Sequence, residues 1–310
     1  MKALIGYTGF VGSNLNSESV FDYKYNSKNI EDIKGKSFDL SICSAVRAEM
    51  WFANKFPEED KKEIDYLISY LDSFKTKTFV LISTIGVYKN PINVNEETSI
   101  ISQESLPYGR NRYYLEEYVK NKFKNYLIVR LPALFGINIK KNFIYDLINR
   151  VPAMLVESKF NELMNISDNS LIRLIKQYYH KDSFGFYVLE KNIDNAIFKE
   201  LKNKFENYGF TSLNFTHRDS QFQFYYLKNL WKDIQIALKN NISILNISSE
   251  PIKAYEIAKS CFGVDFDNNV NSPLIYDMKS KYDYLYDGKN GYLYNKPMIL
   301  SEIQDFVKGQ

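Results

Sequence analysis

Three glycines, Gly6, Gly9 and Gly12 in the run GYTGFVG, follow an apolar β-type run, Lys2 to Gly6, and open a helical pattern at Phe10 to Leu15. At such a turn the first N–H groups of the helix have no intrahelical partner and can meet an anion. The glycines allow a tight turn, close approach to phosphate and close packing of helix on strand. Gly6, Gly9, Phe10, Val11 and Gly12 are therefore candidates to hold a dinucleotide pyrophosphate, a plain strand-to-helix turn being the competing reading. About 20 residues beyond the first glycine, such sites place a carboxylate on the adenosine ribose of NAD. The sequence there is Tyr25, Asn26, Ser27, Lys28, without an acid. Ser27 and Lys28, with Asn26 beside them, suit a 2′-phosphate, which leans towards NADP over NAD unless Lys28 is only a solvated charge.

Two hydroxyls, Ser83 and Thr84, follow the apolar run that starts at Phe79, and strand ends of this kind face the ligand crevice of an α/β sheet. Tyr108 opens PYGRNRYYLEEYV, and Arg112 stands four residues on, one turn along the same helix face. Taken alone, Tyr108 and Arg112 would read as two exposed residues in a chain with 25 tyrosines.

The elements that must position these groups are legible in part. Strand-like runs recur at Phe21 to Tyr25, Leu40 to Ser44, Phe79 to Ser83, Leu127 to Leu131 and Ile242 to Ile247, with segments of helical length between most of them. The alternation predicts an α/β fold, a Rossmann doubly wound parallel sheet with a smaller interleaved C-terminal α/β substrate domain. The expected division is residues 1–155 plus a return segment 222–248 for the dinucleotide-binding domain, and 156–221 with 249–310 for the smaller one. Pro57 to Phe74 is the clearest helix. Its first turn holds Pro57, Glu58, Glu59 and Asp60, and Ile64, Leu67, Ile68 and Leu71 form one apolar face.

Forty basic against 37 acidic side chains leave a net charge of +3, which argues against a nucleic-acid partner. Cys43 and Cys261 lie far apart with no metal-ligand spacing, so reduced thiols and no metal are expected. No apolar run approaches the ~18 residues of a membrane span, and a soluble cytoplasmic protein is expected.

Together these pieces resemble the extended short-chain dehydrogenase/reductase family of nucleotide-sugar epimerases, 4,6-dehydratases and ketoreductases. GYTGFVG is similar to its cofactor turn, ISTIGVY to the strand carrying its catalytic hydroxyl, and Tyr108 to its catalytic tyrosine. VRLPALFG looks like the strand end where Pro132 would lie beside the nicotinamide, and QFQFYYLKNLWKDIQIAL with ILNISSEPIKAYEIA is similar to the returning strands and helices. The resemblance implies that Tyr108 exchanges a proton with a sugar oxygen while hydride moves, that Thr84 orients that oxygen with Ser83 beside it, and that Arg112 takes the place of the usual lysine. A phenol of pKa ~10 working near neutrality needs ~4 kcal/mol in favour of its anion. A fixed cation ~4 Å away at an effective dielectric of ~20 would supply that.

The resemblance also bears on the reaction. Dehydratases carry an Asp-Glu pair after the catalytic hydroxyl, whereas Ile85 and Gly86 stand here. Neither His180 nor His217 makes a convincing acid-base pair for an epimerase-reductase. What remains is an NAD(P)-dependent ketoreductase or dehydrogenase on a nucleotide-activated sugar, at C4, in surface-polysaccharide sugar synthesis. A nucleotide-sugar 4-epimerase is the alternative, and a non-enzymatic coenzyme-binding regulatory module a second. Lys140, Lys141, Asn142, Phe143 and Arg218 are candidates for the sugar diphosphate, with solvated lysines and a surface salt bridge as the other readings. Trp51 would cover the sugar or, more simply, fill a core. The family's habit implies a homodimer.

Overall fold

The computed structural model describes residues 1–270 and 272–309. The chain divides into two units. Unit 1 comprises Met1–Ile139, Gln221–Lys253 and the residues from Ile275 onward; unit 2 comprises Lys140–Ser220 and Ala254–Leu274.

Unit 1 is built on six strands: β1 (Lys2–Ile5), β2 (Tyr23–Tyr25), β3 (Ser37–Cys43), β4 (Lys75–Thr84), β5 (Tyr126–Leu131) and β6 (Ile244–Asn246). They lie in the order β6-β5-β4-β3-β1-β2 and every pairing is parallel. Its main helices are α1 (Phe10–Glu18), α2 (Pro57–Leu71), α3 (Pro107–Lys122), α4 (Leu230–Lys239) and α5 (Lys296–Lys308). Successive strand residues point to opposite faces. Ala3, Ile5, Cys43, Phe79, Leu81 and Ile128 join Ile64, Leu67 and Leu71 of α2 and Leu115 and Val119 of α3 in one buried cluster. Helix α1 contacts α4, and Leu4, Ile42, Val80, Leu127 and Val129, equally buried, alternate to the sheet's other face.

The predicted doubly wound sheet is present, with a strand order of its own. Only the single 3-10 turn Ile30–Ile33 lies between β2 and β3, too little chain for the further strand that the dinucleotide order 3-2-1-4-5-6 places beyond β2. The order 2-1-3-4-5-6 puts the topological switch between β1 and β3, and ligands of such sheets bind outside the strand ends at that point.

The unit boundaries also differ from the expected ones. Residues 140–155 belong to unit 2, because the helix Phe143–Asn149 packs Phe143 on Phe266 with ring centroids 5.3 Å apart, and Arg150 accepts the Ser212 N–H at 2.7 Å. The residues after Ile275 belong to unit 1: Asp277–Met278 pairs with Ile92–Val94, and Phe306 of α5 meets Phe135 and Tyr226 at 5.7 and 6.0 Å.

Unit 2 has a three-stranded sheet, Met154–Leu155, Tyr187–Leu189 and Tyr179–Lys181, with helices Glu157–Ile166, Asn169–Tyr178 and Asn195–Asn207. Leu163, Leu171, Ile175, Leu201 and Phe205 form its core. Asp168 and Asp194 cap two of the helices by accepting backbone N–H groups. Burial, opposed in part by the Ser212 hydroxyl, pushes the Asp146 carboxyl up to about 7. A carboxyl raised above its unfolded value of ~3.9 makes the folded state bind the extra proton, so stability is greatest below ~pH 4 and falls as pH rises towards ~7. Asp146 keeps some contact with water, which trims the effect to about 1–3 kcal/mol. Urea unfolding should find Asp146→Asn more stable than the parent by that amount at ~pH 8 and equal to it near ~pH 4; equal stability at both would contradict the assignment.

Candidate functional site

The glycine turn lies at the switch point. Gly6 leaves β1 with φ +89°, and a Cβ there would stand 2.7 Å from the Ala45 backbone just beyond β3. A Cβ on Gly12 would fall 2.1 Å from the Gly6 carbonyl oxygen, so these two glycines serve the close approach of α1 to β1 and β3. Gly9 is different. Its φ of −74° and ψ of 171° suit any residue, and a Cβ there would meet only Gly6 O at 3.4 Å and Ser44 O at 3.9 Å. Among the described residues nothing demands glycine at this exposed position, whereas a phosphate drawn against the N–H groups of Phe10 and Val11 would. The turn fits a dinucleotide pyrophosphate on that ground.

At the end of β2, Asn26 accepts the Lys28 N–H at 2.9 Å, and its own N–H donates to Asn29 at 2.7 Å. Asn26 thus closes its own turn, leaving Ser27 and Lys28 exposed. Pro132 is buried directly after β5.

Thr84 ends β4, two strands from β1, and its Oγ accepts the Gly86 N–H at 3.1 Å, leaving its own hydrogen to donate. Tyr108 stands in the first turn of α3, behind Pro107, and three contacts fix it. Its N–H donates to Oδ1 of Asn54 at 3.0 Å. Its ring rests on Gly86, where a Cβ would lie 2.9 Å from the ring edge and 3.4 Å from the Thr84 hydroxyl. Arg112 covers the ring with its guanidinium carbon 4.4 Å from the centroid. Gly109 lets α3 come this close, since a Cβ there would be 1.9 Å from the Gly86 carbonyl oxygen. The Tyr108 side chain is 6 % exposed, and among the described residues no hydrogen bond takes up its hydroxyl.

Two expectations are corrected here. Arg112 does not act as a free cation beside the phenol: it is buried, bonded to Asp60 of α2 at 2.5 Å and to the Arg47 carbonyl, and it addresses the ring face of Tyr108. A buried guanidinium needs an anion to offset its desolvation, and the Asp60 carboxylate supplies it. Ser83 is engaged elsewhere than at the Tyr108 ring. Its hydroxyl donates at 2.5 Å to Glu116, which is paired with Arg130 at 2.6 Å, and Arg130 in turn donates to Tyr88 at 2.7 Å.

Of the residues expected to grip a diphosphate in unit 2, Asn142, Phe143 and Arg218 have other engagements. Asn142 spends its Oδ1 capping a seven-residue helix through Ile144 and Tyr145, and Phe143 is core. Lys140 and Lys141 are exposed. Arg218 is in an ion pair with Asp267 and lies 5.1 Å over the Tyr255 ring, the salt-bridge reading of that residue. Trp51 packs edge-on against Phe52 at 5.8 Å. Asn54 escaped sequence reasoning, and Asp60 and Gly86 were noted there only as a first-turn acid and as a residue following Thr84. Only the small residues next to Thr84 and Tyr108 carried a signal.

No protein-family model and no curated protein matches the chain. Solved structures do match. The dTDP-4-dehydrorhamnose reductase of Bacillus anthracis str. Ames, in complex with NADP, is 17 % identical over 100 % of this chain and 98 % of its own, with a TM-score of 0.57. The UDP-N-acetylglucosamine 4-epimerase of Methanobrevibacter ruminantium M1, in complex with UDP-N-acetylmuramic acid, is 12 % identical over 99 % and 96 %, also at 0.57. The chain has the fold of the extended short-chain dehydrogenase/reductases. A dTDP-4-dehydrorhamnose reductase from Clostridium acetobutylicum agrees at 14 % identity, covering 99 % of this chain and 100 % of its own, with a TM-score of 0.55. At these identities the likeness speaks for the fold, while the chemistry rests on the side chains. No helix among the described residues is long and apolar enough to cross a membrane.

Proposed function

We propose that this protein is an NAD(P)-dependent oxidoreductase that reduces the C4 ketone of a nucleotide-activated sugar, with Tyr108 as the proton donor. The observation that carries the reading is the seating of Tyr108 on Gly86 beside Thr84, at the same edge of the sheet as a glycine turn whose Gly9 leaves room for phosphate. The NADP in the Bacillus anthracis reductase and the nucleotide sugar in the archaeal epimerase support the ligand classes. Gly6, Gly9, Phe10, Val11 and Gly12 would hold the pyrophosphate, Ser27 and Lys28 the adenosine end, and Pro132 would border the nicotinamide.

When bound, the nicotinamide supplies the hydride. Tyr108 gives its phenolic proton to the ketone oxygen, which becomes the C4 hydroxyl, and regains one from solvent. Thr84 donates to the same oxygen and steadies its developing negative charge. Arg112 and Asp60 keep the ring in place. The donation leaves a phenolate, which takes back a proton from solvent before the next turnover. A 4-epimerase would use the same residues in both directions and is the alternative reading.

Following absorbance at 340 nm with dTDP- or UDP-4-keto sugars separates the readings. A reductase consumes reduced coenzyme in proportion to product, while an epimerase interconverts sugars with no net change. Coenzyme binding without turnover on either class of sugar would leave only the regulatory-module reading.

A further inference from the structure

We infer that Asn14 is a positioning residue that fixes the span of the coenzyme crevice by tying the chain beyond β5 to the helix that opens at the glycine turn. The inference rests on the proposed nicotinamide-coenzyme reading and assigns a further residue to that site. Asn14 lies in α1 and is 3 % exposed. Its Oδ1 accepts the Ile137 N–H at 3.0 Å and its Nδ2 donates to the Ile137 carbonyl at 2.9 Å, so one side-chain amide satisfies both main-chain groups of a residue 123 positions away. The same Nδ2 reaches the Phe10 carbonyl at 2.9 Å, in the first turn of α1. The approach depends on Gly136, where a Cβ would fall 2.6 Å from Asn14 Oδ1. Asn138 follows with φ +66°, turning the chain away at once, a conformation asparagine tolerates.

A dinucleotide has a fixed covalent length and is met at two places that are remote in sequence. Phe10 and Val11 face its pyrophosphate, and Pro132, at the end of β5, faces its nicotinamide. Asn14 is not one of these proposed contacts; its amide bonds are to Phe10 and Ile137. It bonds to the helix carrying the first contact and to the segment continuing from the second, so the separation between the two is set through its amide.

Ligands of two lengths test this. The coenzyme the wild type binds, NADH or NADPH, spans both contacts, whereas ADP engages only the glycine-turn half. In Asn14→Ala, titration calorimetry should show the coenzyme Kd raised about tenfold, the scale of losing buried hydrogen bonds. The ADP Kd should stay within about twofold. A structural role alone would weaken both ligands alike or neither, and either result overturns the clamp. Should the alanine variant fail to fold, Asn14→Asp keeps the acceptor for Ile137 N–H and loses the donor, and the same divergence between the two ligands is expected. A wild type that binds no nicotinamide coenzyme overturns the proposed function and the clamp with it; equal weakening by the variant overturns the clamp only.

Discussion

In Tyr108→Phe, turnover should fall by about 10³-fold or more with coenzyme affinity unchanged, because the group proposed to give a proton to the substrate oxygen is gone while the glycine turn is untouched. The phenyl ring keeps its seat on Gly86 and its cover of Arg112, since neither contact uses the hydroxyl. The Asn54 bond is to the backbone and survives as well. Fold and site geometry are therefore preserved, and the loss reads the hydroxyl alone. Steady-state kinetics with a 4-keto nucleotide sugar, together with coenzyme titration, provide the check. Turnover within tenfold of the parent would remove Tyr108 from the chemistry, and parallel loss of coenzyme binding would point to a collapsed crevice instead.

The largest effect on stability is expected at the buried pair behind the site. Arg130 is 1 % exposed and Glu116 is fully buried. Arg130 reaches Glu116 through Nη2 at 2.6 Å and Nε at 3.1 Å, and donates through Nη1 to Tyr88 at 2.7 Å. The Tyr88 hydroxyl donates to the Asn95 carbonyl at 2.7 Å and accepts from Asn246 at 3.0 Å. This network joins β5, α3, β6 and the end of β4 through groups that all lose water on folding. Arg130→Met leaves the Glu116 carboxylate buried without its cation, and the cost should be about 3–5 kcal/mol in urea unfolding. Replacing both partners, Arg130→Met with Glu116→Leu, should recover most of that loss, since an uncompensated charge is the source of the penalty. Additive losses from the two single changes would show that the pair is not coupled.

The two effects have different causes, although Ser83 and Thr84 are neighbours. Ser83 has the parity of Phe79 and Leu81, the strand face that packs on α3, and meets Glu116 of that helix, whereas Thr84 ends the strand and turns its hydroxyl to the Gly86 N–H, beneath the Tyr108 ring. Sequence reasoning placed both hydroxyls at a strand end, where the strand does end, but had no way to see that Ser83 joins a buried network. Arg112 shows the same limit. Its turn-to-turn spacing from Tyr108 was correct, but its partner Asp60 comes from another helix, where it had been noted only as an acid suited to a first turn.

What the sequence by itself determined is local. Short apolar runs ending in glycine, the periodicity and proline start of α2, and the small and hydroxyl residues at strand ends announce a β-turn-α repeat, because each depends on backbone conformation and side-chain spacing within a few residues. Tertiary structure alone decided the strand order, the assignment of the last residues to unit 1, the pairing of Arg112 with Asp60 and the tie between Asn14 and Ile137. Each of these pairs groups far apart in the chain, and the energy that selects them, burial matched by a specific partner, exists only once the elements have met.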